Sequence, residues 1–266
     1  MGEAREIRVR SGNENSARSG PAENPLSRKE QEELRRISKL LTCKPGTILY
    51  SQGEQAKFVY LIADGIVRIN RCDESGHRQV LVFRVAGDFC GIPQEGSYFN
   101  SAETVSEAAI YRFEWREMQE LFLVEPHLQS VLLGKILYDY RQAQTRISIL
   151  GQQNICQRLA SFLLDLIHIS QFYEEESACL SLPVSRFDLA DYLGTAPESI
   201  ARAFTKLETL GLLRRITARR IAVLDVAGLR SLHRSPRRSR DLERALFPDG
   251  LEPAVRRDYE AVVACK

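Results

Sequence analysis

Apolar residues follow two different spacings along this chain, and the change of spacing divides it. Between Thr47 and Phe83 they come in short runs: Thr47-Ile48-Leu49-Tyr50, Val59-Tyr60-Leu61-Ile62, Val67-Arg68-Ile69 and Gln79-Val80-Leu81-Val82-Phe83. The runs are rich in β-branched and aromatic residues, and Gly46, Gly53, Gly65, Gly76 and Gly87 punctuate them. That pattern predicts β-strands joined by turns, with Asp73-Glu74-Ser75-Gly76 as a hairpin turn. From Pro126 to Leu150 the spacing alternates between three and four, through Leu133, Ile136, Tyr140, Ala143, Ile147 and Leu150. This predicts one long helix with a heptad-like seam, which can face an equivalent helix or its own domain.

The ends read differently. Met1 to Pro25 is polar, without apolar periodicity, and predicts a disordered segment. Leu26 to Leu41 predicts a helix, opened by a Ser27/Glu30 capping box. Beyond Arg234 a basic Ser-Pro-Arg-Arg-Ser-Arg linker leads to two short predicted helices, Asp241–Phe247 and Glu252–Val263.

The densest information lies between Leu182 and Leu224. Ser185 is an N-cap residue, followed by Leu189, Ala190 and Leu193 at helical spacing, and Gly194 stops that helix. Thr195 is the expected N-cap of a second helix, with Pro197 in its first turn and Glu198 near its positive end. Ile200, Phe204 and Leu207 form its apolar stripe, leaving Glu198, Ser199, Arg202 and Lys206 on other faces. A helix pair of this kind is a helix-turn-helix, whose second helix enters the DNA major groove. Arg bridges the O6 and N7 acceptors of guanine, Glu accepts from cytosine N4, and Ala touches a thymine methyl. Glu198 and Arg202 are therefore the expected base readers, assisted by Ser199 and flanked by Ala201. Arg186, Lys206 and Arg219 are expected on the DNA backbone, and an i,i+4 pair can brace Glu198 against Arg202. Arg214, Arg215, Arg219 and Arg220 fall in a hairpin-like Leu213–Leu224 segment resembling a basic wing that neutralises phosphates.

Composition adds limits. The 266 residues, 44% hydrophobic and 27% charged, suffice for two ordinary cores. The net charge of +2 is nearly neutral, so the basic character is local to the helix-turn-helix. No apolar run approaches a membrane span, the N-terminus lacks the apolar core expected of a signal peptide, and the six cysteines have no CxxC spacing. Free thiols and a cytoplasmic location are expected. HExxH, GxSxG, P-loop and strand–helix GxGxxG motifs are all missing, which argues against an enzyme.

The stretch PESIARAFTKLETLGLL resembles the recognition-helix pattern of CRP/FNR transcription regulators, nearest to the FNR/FixK-like branch. The resemblance runs from Leu26 to His233. It includes Pro45-Gly46, Gly53-Glu54, Tyr60-Leu61-Ile62 before Gly65, and Gly87-Asp88-Phe89. It implies an α+β fold: a cyclic-nucleotide-binding-like β-roll over 26–125, a dimerisation helix over 126–150 and a winged helix-turn-helix over 151–234. Residues 1–25 and 235–266 are then appendages. It further implies a homodimer on an inverted repeat of double-stranded DNA, with RNA polymerase as partner and activation as the expected outcome.

Three departures qualify the resemblance. Where cyclic-AMP-binding relatives hold the ribose and phosphate with Gly-Glu and Arg-Ser pairs, this chain has Gly91-Ile92 and Asn100-Ser101-Ala102, which disfavours cyclic-nucleotide control. Met1 to Thr42 contains no cysteine, against the iron–sulfur cluster of the FNR branch. Ala201 stands where relatives place Ser or Gly before the Arg, predicting a half-site that differs at one inner base pair. Cys90 is a conceivable haem thiolate, but without a histidine in its loop it reads as a small buried residue. No cofactor or metal is expected. Cys179, at the entry to the helix-turn-helix, and Cys156, near the hinge, are either redox-sensitive thiols or inert ones.

Overall fold

The glycine-punctuated runs form two four-stranded antiparallel sheets that share one interior. The computed structural model describes residues 7–9, 26–93, 96–169 and 171–234. The strands are β1 (Ser38–Cys43), β2 (Ile48–Tyr50), β3 (Phe58–Asp64), β4 (Val67–Cys72), β5 (Arg78–Arg84), β6 (Phe89–Cys90), β7 (Ser101–Thr104) and β8 (Ala108–Glu114). Their orders are β1-β8-β3-β6 and β2-β7-β4-β5. Between the sheets lie Tyr50, Tyr60, Ile62, Val67, Ile69, Cys90, Tyr98, Ala102 and Ile110. Side chains alternate across a strand, so Val59 and Leu61 of β3 and Tyr111 and Phe113 of β8 face a second core on the opposite side. That core is closed by α1 (Arg28–Arg36), α2 (Trp115–Val124) and the foot of α3 (Pro126–Gln152), through Leu34, Met118, Leu121, Leu128 and Leu132. Gly65, at φ +88°, joins β3 to β4 where a Cβ would sit 2.3 Å from the Glu107 carbonyl oxygen; only glycine fits that approach.

Two sequence expectations need correction. The helix expected over Leu26–Leu41 keeps its Ser27/Glu30 capping box but stops at Arg36. Ser38–Cys43 instead forms β1, paired residue by residue with β8 from Ser38↔Phe113 to Cys43↔Ala108. Six ladder positions outweigh a helical pattern with only a weak local preference. Within the segment expected to be disordered, Ile7 and Val9 are buried in the second core beside Leu26 and Leu34. Two alternating apolar residues suffice to fill that groove, a pattern too short to register as periodicity. The remainder of 1–25 and the predicted C-terminal helices lie outside the described residues.

The long helix α3 spans 27 residues, about 40 Å at 1.5 Å per residue. Its foot is buried, while farther along Leu133, Ile136, Leu137, Tyr140, Ala143 and Ile147 are exposed and Leu150 is half-buried. Gln153 then breaks the helix, and Asn154 caps α4 (Ile155–Ile167), accepting from the amides of Cys156 (3.0 Å) and Gln157 (3.2 Å). The remaining elements are β9 (Tyr173–Glu174), β10 (Cys179–Ser181), α5 (Arg186–Leu193), α6 (Pro197–Thr209), β11 (Leu213–Arg215), β12 (Arg220–Val223) and α7 (Val226–Arg234). Sheet β11-β12-β10-β9 and the helices enclose Leu159, Leu163, Leu180, Ile200, Phe204, Leu207, Ile221 and Leu229. This is a winged helix-turn-helix. Among the described residues no helix is long and apolar enough to cross a membrane.

Candidate nucleic-acid interface

Helix α5 begins at Ser185, whose Oγ accepts from the Asp188 amide at 3.0 Å and donates to its carboxylate at 2.8 Å. It ends at Gly194 in the left-handed region, φ +63° and ψ 49°, where a Cβ carries a penalty. The expected N-cap of α6 is corrected: Ala196 occupies that position, without a side-chain cap, and Thr195 lies in the turn with its amide bonded to the Ala190 carbonyl. Pro197 at the first helical position forces its predecessor into extended backbone, and that places the cap one residue later.

Helix α6 buries Ile200, Ala203, Phe204 and Leu207 and turns its other face to solvent. Glu198, Arg202, Thr205 and Lys206 are exposed, and Ser199 and Ala201 are half-buried at the edges of that face. Arg202 does not pair with Glu198 among the described residues; it reaches the Ser199 hydroxyl at 3.5 Å. Both ends of the suspected brace thus face solvent without pairing with each other. Arg186 behaves differently. It is half-buried, with its guanidinium 5.0 Å from the centre of the Phe204 ring and Nη1 enclosed.

The wing runs from β11 through exposed Ile216–Arg219 to β12. Arg214, Arg219 and Arg220 are exposed, but Arg215 is clasped by Glu208 of α6. The Arg215 amide and Nε donate to that carboxylate at 2.7 and 2.8 Å, and the guanidinium also reaches the Thr205 hydroxyl. These bonds hold the Glu208 carboxyl below its ordinary range. Sequence reasoning counted Arg215 among the phosphate contacts and missed Glu208. A carboxylate seven residues before a wing arginine was the available signal.

The β-roll positions where relatives would hold a nucleotide have internal partners here. Asn100 accepts from the Tyr50 hydroxyl at 3.0 Å, and the Ser101 hydroxyl accepts from the Gln52 amide at 2.9 Å. Tyr50 stacks on Tyr98 at 4.0 Å and on Tyr60 at 5.6 Å, and a Cβ at Gly91 would lie 3.0 Å from both Tyr50 and Tyr60. Beside this stack, Lys135 of α3 is almost wholly buried between Asp88 (3.0 Å) and Asp139 (2.9 Å), and Arg84 meets Asp139 at 2.8 Å. Burial pushes the Asp139 carboxyl up, but Arg84 and Lys135 outweigh it and hold the group below its ordinary value.

Cys43, Cys90, Cys156 and Cys179 are buried, and Cys72 is exposed. Burial pushes Cys90 up to about 12 and raises Cys156, while Cys179 is buried within β10 between β9 and β12. His127 bonds Glu30 at 2.7 Å, and His77 and His168 are exposed. No cluster of three or more His, Cys, Asp and Glu residues suited to a metal occurs among the described residues.

Residues 157–232 match the model of the Crp-like helix-turn-helix domain, and residues 40–124 that of the cyclic nucleotide-binding domain. The chain is 34% identical over 191 residues to the nitrogen fixation regulation protein FixK of Rhizobium meliloti, covering 72% of this chain and 85% of that one. It is 28% identical over 179 residues to the transcriptional activatory protein AadR of Rhodopseudomonas palustris, covering 67% and 75% respectively. The structure of FixK2 from Bradyrhizobium japonicum shares the fold, with a TM-score of 0.67 over 75% of this chain and 98% of that one at 24% identity.

Proposed function

Because the chain belongs to the CRP/FNR family of DNA-binding transcription regulators, we propose that it binds an inverted-repeat operator as a homodimer and activates transcription through RNA polymerase. One observation carries the reading: α6 presents Glu198 and Arg202 unpaired with each other beside a wing bearing three exposed arginines. Arg202 reads guanine, Glu198 reads cytosine, Ser199 assists, and Ala201 meets a thymine methyl. Lys206 and Arg219 contact phosphates, while Arg186 holds α6 through Phe204 and reaches DNA only at its outer edge. Thr195 and Pro197 shape the entry to α6.

The exposed stripe Leu133, Ile136, Tyr140, Ala143 and Ile147, with Leu150 at its end, is the dimer surface, and Leu137 joins it. A second copy of α3 covers such a stripe, and the resulting two-fold axis matches the two halves of a palindromic site. The protein works in the cytoplasm as a regulator and not as an enzyme. Its β-roll does not take a cyclic nucleotide: Asn100 and Ser101 are engaged, and the Tyr60–Tyr50–Tyr98 stack fills the interior. The buried thiols, Cys179 included, are packing residues.

The test is a mobility shift on an operator selected from random DNA, with sedimentation of the same preparation. Wild-type protein should sediment as a dimer and require both half-sites. Ile136→Glu with Ile147→Glu should give a folded monomer that binds weakly. A charge-substituted variant that stays dimeric removes the seam assignment.

A further inference from the structure

The first helix of the helix-turn-helix is fastened to the β-roll. Asp188 of α5, buried, receives both Arg68 of β4 and Arg78 of β5, the latter at 3.0 Å. Arg68 is held in turn by Glu103 of β7 at 2.6 Å. One turn along α5, Asp191 receives Nε and Nη2 of Arg78 at 2.9 and 2.6 Å, and its carbonyl accepts from the Gln79 side chain. Arg146 of α3 closes the seam. Its guanidinium donates to the carbonyls of Val80, Leu81 and Tyr192 and lies 3.4 Å from the centre of the Tyr192 ring. Phe83 of β5 packs on that ring at 5.2 Å.

The covalent connection from α3 to α4 is only Gln153-Asn154, which leaves the rotation of the DNA-binding module to other contacts. Phe162 of α4 meets Phe83 at 6.5 Å and Arg158 donates to the Leu150 carbonyl at 2.6 Å, while the charged contacts that fix the module on the β-roll are those of α5. Since α5 packs on α6, holding α5 also sets where α6 points relative to α3. Recognition helices in a two-fold dimer must match half-sites about one helical turn apart. Inserting one base pair shifts a half-site by about 3.4 Å along the axis and rotates it by roughly 35°. A module clamped to both the β-roll and α3 cannot follow that displacement without breaking the clamp.

We propose that Asp188 and Asp191, gripped by Arg68 and Arg78 beside the Arg146 contact to Tyr192, are positioning residues that set the half-site spacing the dimer accepts. None of them needs to touch DNA. This rests on the homodimer reading above. Base identity is left to α6 and spacing to the seam, so the two kinds of specificity separate.

The experiment uses the full chain and four DNA probes: the selected operator, the same operator one base pair longer or shorter between half-sites, and one with a single base pair changed inside a half-site. Arg78→Ala and Asp191→Asn are the informative variants, because their side chains are 33% and 26% exposed and their loss leaves Arg68–Asp188 intact. Relative to wild type, the preference for native spacing should fall about tenfold, a usual size for coupling between two parts of a protein. The penalty for the changed base pair and the slope of affinity against salt should stay as in wild type. Arg78→Lys, which keeps the charge but not the forked contact, should fall between. An unchanged spacing preference in both variants, or equal loss of the spacing and base penalties, overturns the proposal. Wild-type protein binding one half-site as a monomer removes the dimer reading instead, a result told apart by sedimentation.

Discussion

The arginines on α6 and the wing and those buried in the β-roll are used in opposite ways. In the DNA-binding half, Arg202, Arg214, Arg219 and Arg220 stand exposed on α6 and the wing. In the β-roll, Arg68 and Arg84 are largely buried and committed to carboxylates on other elements. An exposed guanidinium keeps its five donors for a partner, whereas a buried one must find its partners within the fold. A basic composition therefore says little about where nucleic acid binds. Arg215 shows the same rule inside the wing, where Glu208 converts a cation into a brace.

Substitutions in the two sets should therefore fail differently. The largest effect is expected at Lys135. Replacing it with Met removes the cation held between Asp88 and Asp139, and breaking a buried pair costs about 3–5 kcal/mol. Urea unfolding should show that loss, and a stability within error of wild type would mean the cluster is not what ties α3 to the β-roll. Next comes Arg202→Ala, which should leave stability alone while costing about 1–3 kcal/mol of operator binding and relaxing preference at one base pair. Uniform weakening on every sequence would make Arg202 a phosphate contact. Arg219→Ala should lower the salt slope of binding by about one. Arg215→Ala should weaken binding without changing that slope, because its charge is already spoken for by Glu208.

The smallest effect is on acidification. Asp139 is held below its ordinary 3.8, so its contribution is complete at neutral pH and is lost as pH falls through its folded value. The stability gap between wild type and Asp139→Asn should close as pH drops below about 4. A constant gap would show that hydrogen-bond geometry, not charge, makes the contribution.

Legibility in the sequence followed distance along the chain. Ser185, Gly194 and Pro197 mark helix ends by their own backbone chemistry, and the structure has helix ends at those residues. The cap slipped from Thr195 to Ala196 because the steric demand of Pro197 overrides the preference for a hydroxyl. Strand β1 was hidden because its partner β8 lies far along the chain, and pairing is not written in either segment alone. The seam between the halves was hidden for the same reason, since Arg68 and Asp188 are 120 positions apart. The exposed face of α6 was readable because its apolar stripe, Ile200, Phe204 and Leu207, is written within one segment. The braces behind that face were not.

Strand β3 has a consequence for how the β-roll comes apart. Its odd-numbered residues Val59 and Leu61 belong to one core, while Tyr60 and Ile62 belong to the other. Neither core can loosen without moving the backbone that serves the other, so the two layers form a single cooperative unit. Amide exchange along β3 and β8 should therefore report one opening free energy, whichever core a destabilising substitution enters.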